Sequence, residues 1–521
     1  MQNFVKLIMS LLIRPFREDF TYLLIISLLV CGPFAICTPL FWTNVTLKFV
    51  IWESLHAYLL CYLVVLLVSI LPPILRSIGK LFFICLAFID FIIELTCFAT
   101  SRTNFSEEIV AIVMGTNMNE SSEFLKTYFS YNVILVILAT IVILYSLYMS
   151  STYIAKLAKK TSVLACFATL IFFCVICAKG TESWKNKYFM KINTILSYQQ
   201  PPDLKQYVKP FSCEMFKANS PQYLILILGE SFSKFHSSLY GYEKTTNYYL
   251  SNLKRDSLLF VFENAIAPAS NTIPCVKSIM STYIQEYGDT INWYECTNLP
   301  QVMSKAGYKT YWISNQSPSG VVDNIASRYS ELCDTTIWVG SKVKGVNKSD
   351  HDGAVLDLLQ SSNIFNDSSK HFIVFHLMGS HNRFEDRYPE DFKRFSSIDY
   401  PNYKQHQRQV LADYDNSILY NDYVVNKILT YFGTNETIAF YFPDHGLDMF
   451  YTSEDYFGHG NPNIRESELK SLQIPCFLYL SRTYQNTYPI ESKYLISKTQ
   501  KDIHTEHIIY VLSELCGIKL L

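Results

Sequence analysis

Five long apolar runs crowd the first third of the chain, and they restrict its fold more than any other feature. They are "TYLLIISLLVCGPFAICTPLFW" (21–42), "VIWESLHAYLLCYLVVLLVSIL" (50–71), "KLFFICLAFIDFIIELTCFA" (80–99), "YNVILVILATIVILYSLYM" (131–149) and "SVLACFATLIFFCVICA" (162–178). Each approaches or reaches the ~20 residues a helix needs to cross a bilayer, so five membrane-spanning helices are expected over residues 1–180. Composition agrees, because 50% hydrophobic with 17% charged residues is rich for a soluble chain of 521 residues. The first run is too long for a removed signal peptide and lacks a small-residue cleavage site.

Basic residues set the expected orientation. Lys6, Arg14 and Arg17 precede the first run, Arg76 and Lys80 separate the second from the third, and Lys156, Lys159 and Lys160 separate the fourth from the fifth. These mark the cytoplasmic side, and an odd number of spans then exports the C-terminal portion. Asp90 and Glu94 lie inside the third run, where a carboxylate is costly in lipid, and are expected to face the bundle interior. A net charge of −1 gives no footprint for nucleic acid.

Of 14 cysteines, six fall in the exported part: Cys213, Cys275, Cys296, Cys333, Cys476 and Cys516. An even number in an oxidising compartment permits disulfides, with Cys275 and Cys296 the first pair to expect. No CxxC or Cys/His zinc-finger spacing occurs among them.

Residues 181–220 read as a connector, extended by its prolines in "SYQQPPDLKQYVKPF" (197–211). From 221 to 521 the rhythm changes. Short apolar runs, "QYLILILG", "KTYWIS", "HFIVFHLMG", "IAFYFPDHG" and "IPCFLYLS", alternate with helix-compatible segments such as 409–431, which predicts an α/β domain with a mainly parallel sheet covered on both faces. Ligands in such folds bind at the carboxyl ends of the strands. Three strands end there in reactive side chains: Glu230 after "LILG", His376 and His381 after "FIVF", and Asp444 with His445 after "YFP".

Glu230, Asp444 and His445 are oxygen and nitrogen donors suited to Zn²⁺, which keeps one position open when it is catalytic. The best candidate for a fourth ligand is Thr272, in the hydroxylic loop "APASNTIPCVKSIMS" (267–281) ahead of a helix-compatible segment. Metal coordination would make that hydroxyl a nucleophile near neutral pH, and the helix start offers N–H groups to a phosphate. His381 and His459 have three open roles: contacting a phosphoryl oxygen, binding a second cation, or protonating a leaving group. His376, nearer its strand, reads as an interior histidine. Ser231 and Ser233 lack a G-x-S-x-G elbow, which excludes the usual serine hydrolase.

The ordered set L-G-E-S (228–231), the stretch 264–274 with Thr272, H-L-M-G-S-H (376–381), Y-D-N-S (414–417), P-D-H-G (443–446) and G-H-G (458–460), preceded by five spans, resembles the membrane-anchored phosphoethanolamine transferases of the sulfatase and alkaline-phosphatase-like superfamily. The resemblance implies transfer of phosphoethanolamine from phosphatidylethanolamine to a lipopolysaccharide acceptor, a core sugar or lipid A, through a phospho-threonine intermediate at a zinc site. By position, Glu230, Thr272, Asp444 and His445 would bind zinc, Thr272 would be the nucleophile, and His381 and His459 would match the family's other active-site histidines. Thr116 and Glu120, in "IVMGTNMNESSEFL" (112–125), match positions implicated in holding the lipid head group, and four apart they would share a helical face.

The nucleophile loop is closest to that of the members that modify lipopolysaccharide core sugars, with Ser270 the alternative nucleophile. The expected setting is a monomer in a bacterial inner membrane with its catalytic domain in the periplasm. Cys275-Val-Lys-Ser does not fit the Cys-x-Pro-x-Arg motif of true sulfatases. The competing readings are a glycerol-phosphate transferase, a metal-dependent phosphodiesterase, and a non-catalytic membrane sensor.

Overall fold

The computed structural model describes residues 2–41, 47–101, 110, 131–179, 202–318, 325–339, 351–365, 367–454, 456–460 and 465–521. Thr116 and Glu120 lie outside these residues. The chain divides into two compact units, one helical and N-terminal, the other α/β.

The N-terminal unit contains α1 (Gln2–Arg17), α2 (Phe20–Phe41), α3 (Leu47–Ile70), α4 (Pro73–Ser101), α5 (Tyr131–Met149) and α6 (Ser151–Lys179). The five apolar runs coincide with α2 to α6, whereas α1 was not anticipated by run length. Among the described residues, one helix, through Ala158–Val175, is both long and apolar enough to cross a membrane, and the apolar stretches Phe20–Pro33, Ser54–Ile70 and Ile134–Met149 are shorter. Exposure around α5 is apolar on several sides, with Leu138 54% and Val142 62% exposed on one face and Val136 43% and Ile143 48% on the opposite one. A helix apolar all round needs an apolar surrounding.

The basic residues read as orientation signals are partly paired. Asp19, buried at the start of α2, takes Lys80 Nζ at 2.5 Å and also Arg76, and Glu18 takes Arg14 Nε at 2.9 Å. Because the orientation rule counts Lys and Arg rather than net charge, these ion pairs leave the orientation reading intact.

In the second unit a seven-stranded sheet is built from β1 (Tyr223–Gly229), β2 (Leu259–Val261), β3 (Tyr308–Ser314), β4 (Thr335–Trp338), β5 (Lys370–His376), β6 (Thr437–Pro443) and β7 (Phe477–Leu480), in the order β2-β7-β6-β1-β5-β3-β4. β6, β1, β5, β3 and β4 are parallel, and β7 runs antiparallel to both β6 and β2. Each of the five quoted apolar runs covers all or all but the first residue of one strand.

Alternation along the strands divides the core. Leu224, Leu226, Leu228, Val374, Phe440 and Phe442 pack on one side with Cys275, Val276 and Ile279 of α7 (Thr272–Ile279). Ile225, Ile227, Ile373 and Phe375 pack on the other with Tyr414, Ile418, Val425 and Ile428 of α8 (Gln405–Tyr431). Apolar residues on both faces explain why these strands read as continuous hydrophobic runs.

Two expectations change. Cys213–Met215, within the segment read as a connector, forms an antiparallel pair with Ile518–Leu520, so that part of 181–220 is built into the α/β unit. Cys275 and Cys296 do not form a disulfide. The Cys275 thiol donates to Ala269 O at 3.1 Å, and Cys296 to Asn292 O at 3.7 Å. The helix turns Cys275 into the apolar core, where its burial is complete.

Candidate active site at the carboxyl edge of the sheet

Strand register brings the reactive residues together. Gly229 on β1 is level with Pro443 on β6, and Leu228 with His376 on β5. The next residues along, Glu230 and Asp444, therefore emerge side by side at one edge. Glu230 and Asp444 are 2% and 1% exposed and His445 is fully buried, and one ligand atom from each lies within 4.8 Å of the others.

Hydrogen bonds fix how these groups face one another. His445 Nδ1 lies 2.9 Å from its neighbour's carbonyl, Gly446 O, and donates to it. That leaves Nε2 with its lone pair turned inward, 3.4 Å from Glu230 Oε1 and 3.3 Å from Asp444 Oδ2. Asp444 Oδ1 accepts from the backbone N–H of Ser231 at 3.2 Å and of His445 at 2.8 Å, whereas Asp444 Oδ2 is buried without a hydrogen-bond partner.

A lone pair and an orphaned carboxylate oxygen turned toward each other repel unless a cation or a proton lies between them. The pKa directions show the same tension. Burial, with Asp444 next to it, holds Glu230 well above the usual carboxylate range, and burial also raises Asp444. Burial pushes His445 down to about 4. The donor set fits a divalent metal ion with oxygen and nitrogen preference.

Thr272 completes the group. It opens α7 after Asn271, and its Oγ1 is 3.3 Å from both Glu230 Oε1 and His445 Nε2. Ser270 enters through its backbone, its carbonyl accepting from His459 Nδ1 at 2.8 Å. The His459 ring is 4.5 Å, centroid to centroid, from that of His445. His381 has a buried Nδ1 without a partner, and burial pushes it down to about 3, with Arg387, His459 and His445 adding to the effect.

The structure thus gathers Glu230, Thr272, Asp444, His445 and His459, with His381 close enough to feel the charges of the other two histidines. His376 is interior, as expected, with Nδ1 3.0 Å from Ser314 Oγ.

Two contributors had no role in the sequence reading. Gln316 Nε2 donates to Glu230 Oε2 at 3.3 Å and to Leu377 O at 3.0 Å. It lies two residues past β3, so the strand-end argument that found Glu230 applies to it equally. Tyr414, on α8, donates its hydroxyl to Ser231 O and accepts from Ser233 N–H, both at 2.8 Å. It thereby braces the turn after Glu230, where Ser231 has φ +55°. The Y-D-N-S stretch marks Tyr414, but nothing local identifies its partner.

Comparison with known proteins places this site in context. The model of the sulfatase family matches residues 222–518. Phosphoethanolamine transferase EptC of Escherichia coli strain K12 is 27% identical over 454 residues, covering 80% of this chain and 75% of that protein. Phosphoethanolamine transferase CptA of Salmonella typhimurium is 24% identical over 448 residues, with the same shares covered. The crystal structure of the C-terminal periplasmic domain of EptC from Escherichia coli in complex with Zn matches with a TM-score of 0.53 at 26% identity, over 60% of this chain and 86% of that one. The integral membrane protein lipooligosaccharide phosphoethanolamine transferase A from Neisseria meningitidis matches with a TM-score of 0.65 over 96% of each chain, and at 17% identity that is a likeness of fold.

Proposed function

We propose, from the premise that this chain belongs to the sulfatase family and has phosphoethanolamine transferases as homologues, that it transfers phosphoethanolamine from phosphatidylethanolamine to lipopolysaccharide, at a core sugar or on lipid A. The observation that carries this reading is the Thr272 hydroxyl, 3.3 Å from both Glu230 Oε1 and His445 Nε2 at the head of a helix.

Glu230, Thr272, Asp444 and His445 would hold a zinc ion. When bound, zinc would lower the pKa of the Thr272 hydroxyl and offset charge on the phosphoryl oxygens. The chain's residues do the rest. His381 or His459, the imidazoles flanking His445, takes the Thr272 hydroxyl proton as Oγ1 attacks phosphorus, the phosphorus–oxygen bond to diacylglycerol breaks, and the same imidazole passes that proton to the departing alkoxide. In the second half that imidazole takes the proton of the acceptor O–H as its oxygen attacks the same phosphorus, and returns it to Thr272 Oγ1 as the Thr272–phosphorus bond breaks, which regenerates the hydroxyl. Tyr414 and Gln316 keep Glu230 in place throughout. Thr116 and Glu120 are assigned to the donor's head group.

The domain plan follows from the substrates. Residues 1–180 form five membrane-spanning helices, 181–220 a connector whose later part, with Cys213–Met215, is built into the α/β unit, and 221–521 the rest of the periplasmic catalytic domain of a bacterial inner-membrane enzyme. A donor with two acyl chains is found in a bilayer, which gives a reason to anchor the catalytic unit there.

The test is to incubate the detergent-solubilised enzyme with zinc, phosphatidylethanolamine and lipopolysaccharide, and to follow lipopolysaccharide by mass spectrometry. Phosphoethanolamine added to lipopolysaccharide and an equivalent release of diacylglycerol are expected. Release of free phosphoethanolamine without any modified lipopolysaccharide would favour a phosphodiesterase instead.

A further inference from the structure

The segment from Leu377 to His381 lies against Glu230, and one buried carboxylate outside the site governs its course. Asp352, 4% exposed, accepts from the backbone N–H groups of Met378 at 2.8 Å and Gly379 at 2.9 Å, and from Asn315 Nδ2 at 3.0 Å. Burial raises the Asp352 pKa, while these three donors and nearby Arg387 act in the opposite direction. A carboxylate that accepts from two consecutive amides fixes the tilt of both peptide planes.

Those planes are packed on a proposed metal ligand. Gly379 has φ +52°, and a Cβ there would stand 2.8 Å from both the backbone N and O of Glu230. Leu377 N–H donates to Leu228 O at 2.9 Å, and Ser380 N–H to Glu230 O at 3.0 Å. A rotation of the Gly379 peptide therefore has to move the backbone of Glu230.

The far end of the segment is held by the opposite charge. Arg387, also buried, donates Nε to His381 O at 3.2 Å and Nη2 to Asn382 O at 2.9 Å. Amides at one end turn to an anion and carbonyls at the other, that of His381 among them, turn to a cation. Asn315 ties the arrangement to β3, since its own N–H donates to His376 O at 3.0 Å.

We propose that Asp352 is a positioning residue. By fixing the Met378 and Gly379 amides it sets the place of the Glu230 backbone and the direction of His381, and through Glu230 the affinity of the site for its metal ion. None of the contacts described for Asp352 reaches Glu230, Asp444 or His445 directly. This inference rests on the assignment of Glu230 as a metal ligand under the proposed function.

The test measures Zn²⁺ affinity, by competition with a chromophoric chelator, on the full-length protein in detergent. Wild type is compared with Asp352→Asn, which sets an NH₂ group among amide donors, and with Asn315→Ala, which removes one donor to the carboxylate. Folding of each is checked by circular dichroism. Asp352→Asn is expected to weaken zinc binding by about 10- to 100-fold, the range for partners that orient metal ligands from behind, and Asn315→Ala to weaken it by a smaller factor. Unchanged zinc affinity in folded Asp352→Asn overturns the proposal, and if that variant does not fold, unchanged affinity in Asn315→Ala does so. Absence of saturable zinc binding in wild type overturns the metal assignment, and the proposal with it.

Discussion

His445 gives its Nδ1 proton to the Gly446 carbonyl and so turns a bare Nε2 toward two buried carboxylates. Metal-free, this arrangement relieves repulsion by protonation, and burial, joined at Glu230 by the neighbouring Asp444, raises both carboxyl groups. The sign of the consequence is definite. A carboxylate whose pKa is higher in the folded state contributes stability that is full below its unfolded pKa and is lost as pH rises through its folded one. His445, lowered to about 4, acts oppositely, costing stability as pH falls below its ordinary range. The metal-free enzyme is therefore expected to lose thermal stability as pH rises above the ordinary carboxylate range and through about 6, where Asp444 titrates, with the two raised carboxylates together outweighing His445, and Asp444→Asn to flatten that slope. A melting temperature that rises over this range would contradict the assignment. Glu230, Asp444 and His445 were legible because each interrupts an apolar strand at its end. Gln316 and Asp352 were not, since a polar residue in a loop looks ordinary until its partner, distant in sequence, is known.

The central strands were legible because they are apolar on both faces. Direction was less so. "IPCFLYLS" has the composition of its neighbours, yet β7 runs antiparallel to β6, because strand direction is set by the path of the connection and not by the residues. The short β2 and β4, at the two sheet edges, bury less and leave a weaker pattern. Likewise α1 escaped a search for spans because its exposed Phe4, Val5 and Leu7 are interspersed with polar residues. The site depends on this framework, since register alone brings Glu230 level with Asp444. Leu226, fully buried in the middle of β1, tests how much the framework contributes. Leu226→Ala is expected to cost about 2–5 kcal/mol, read as a lower denaturant midpoint for the α/β unit. An unchanged midpoint would mean that β1 is not the centre of the core.

At the scale of the whole molecule, the chain joins a helical unit with broadly exposed apolar side chains to an α/β unit whose buried carboxylates and imidazole suit a metal ion. The proposed transfer needs both, one to meet a lipid donor and the other to hold the phosphoryl group between two substrates. Its central claim is that the group rests covalently on Thr272 between donor and acceptor. The most direct measurement is intact-protein mass spectrometry, with peptide mapping, after the full-length enzyme has been incubated with zinc and phosphatidylethanolamine and no acceptor, for wild type, Thr272→Ala and Ser270→Ala. The account predicts a phosphoethanolamine adduct at Thr272 in wild type and Ser270→Ala, and none in Thr272→Ala. An adduct that persists in Thr272→Ala, or that maps to Ser270, would contradict it.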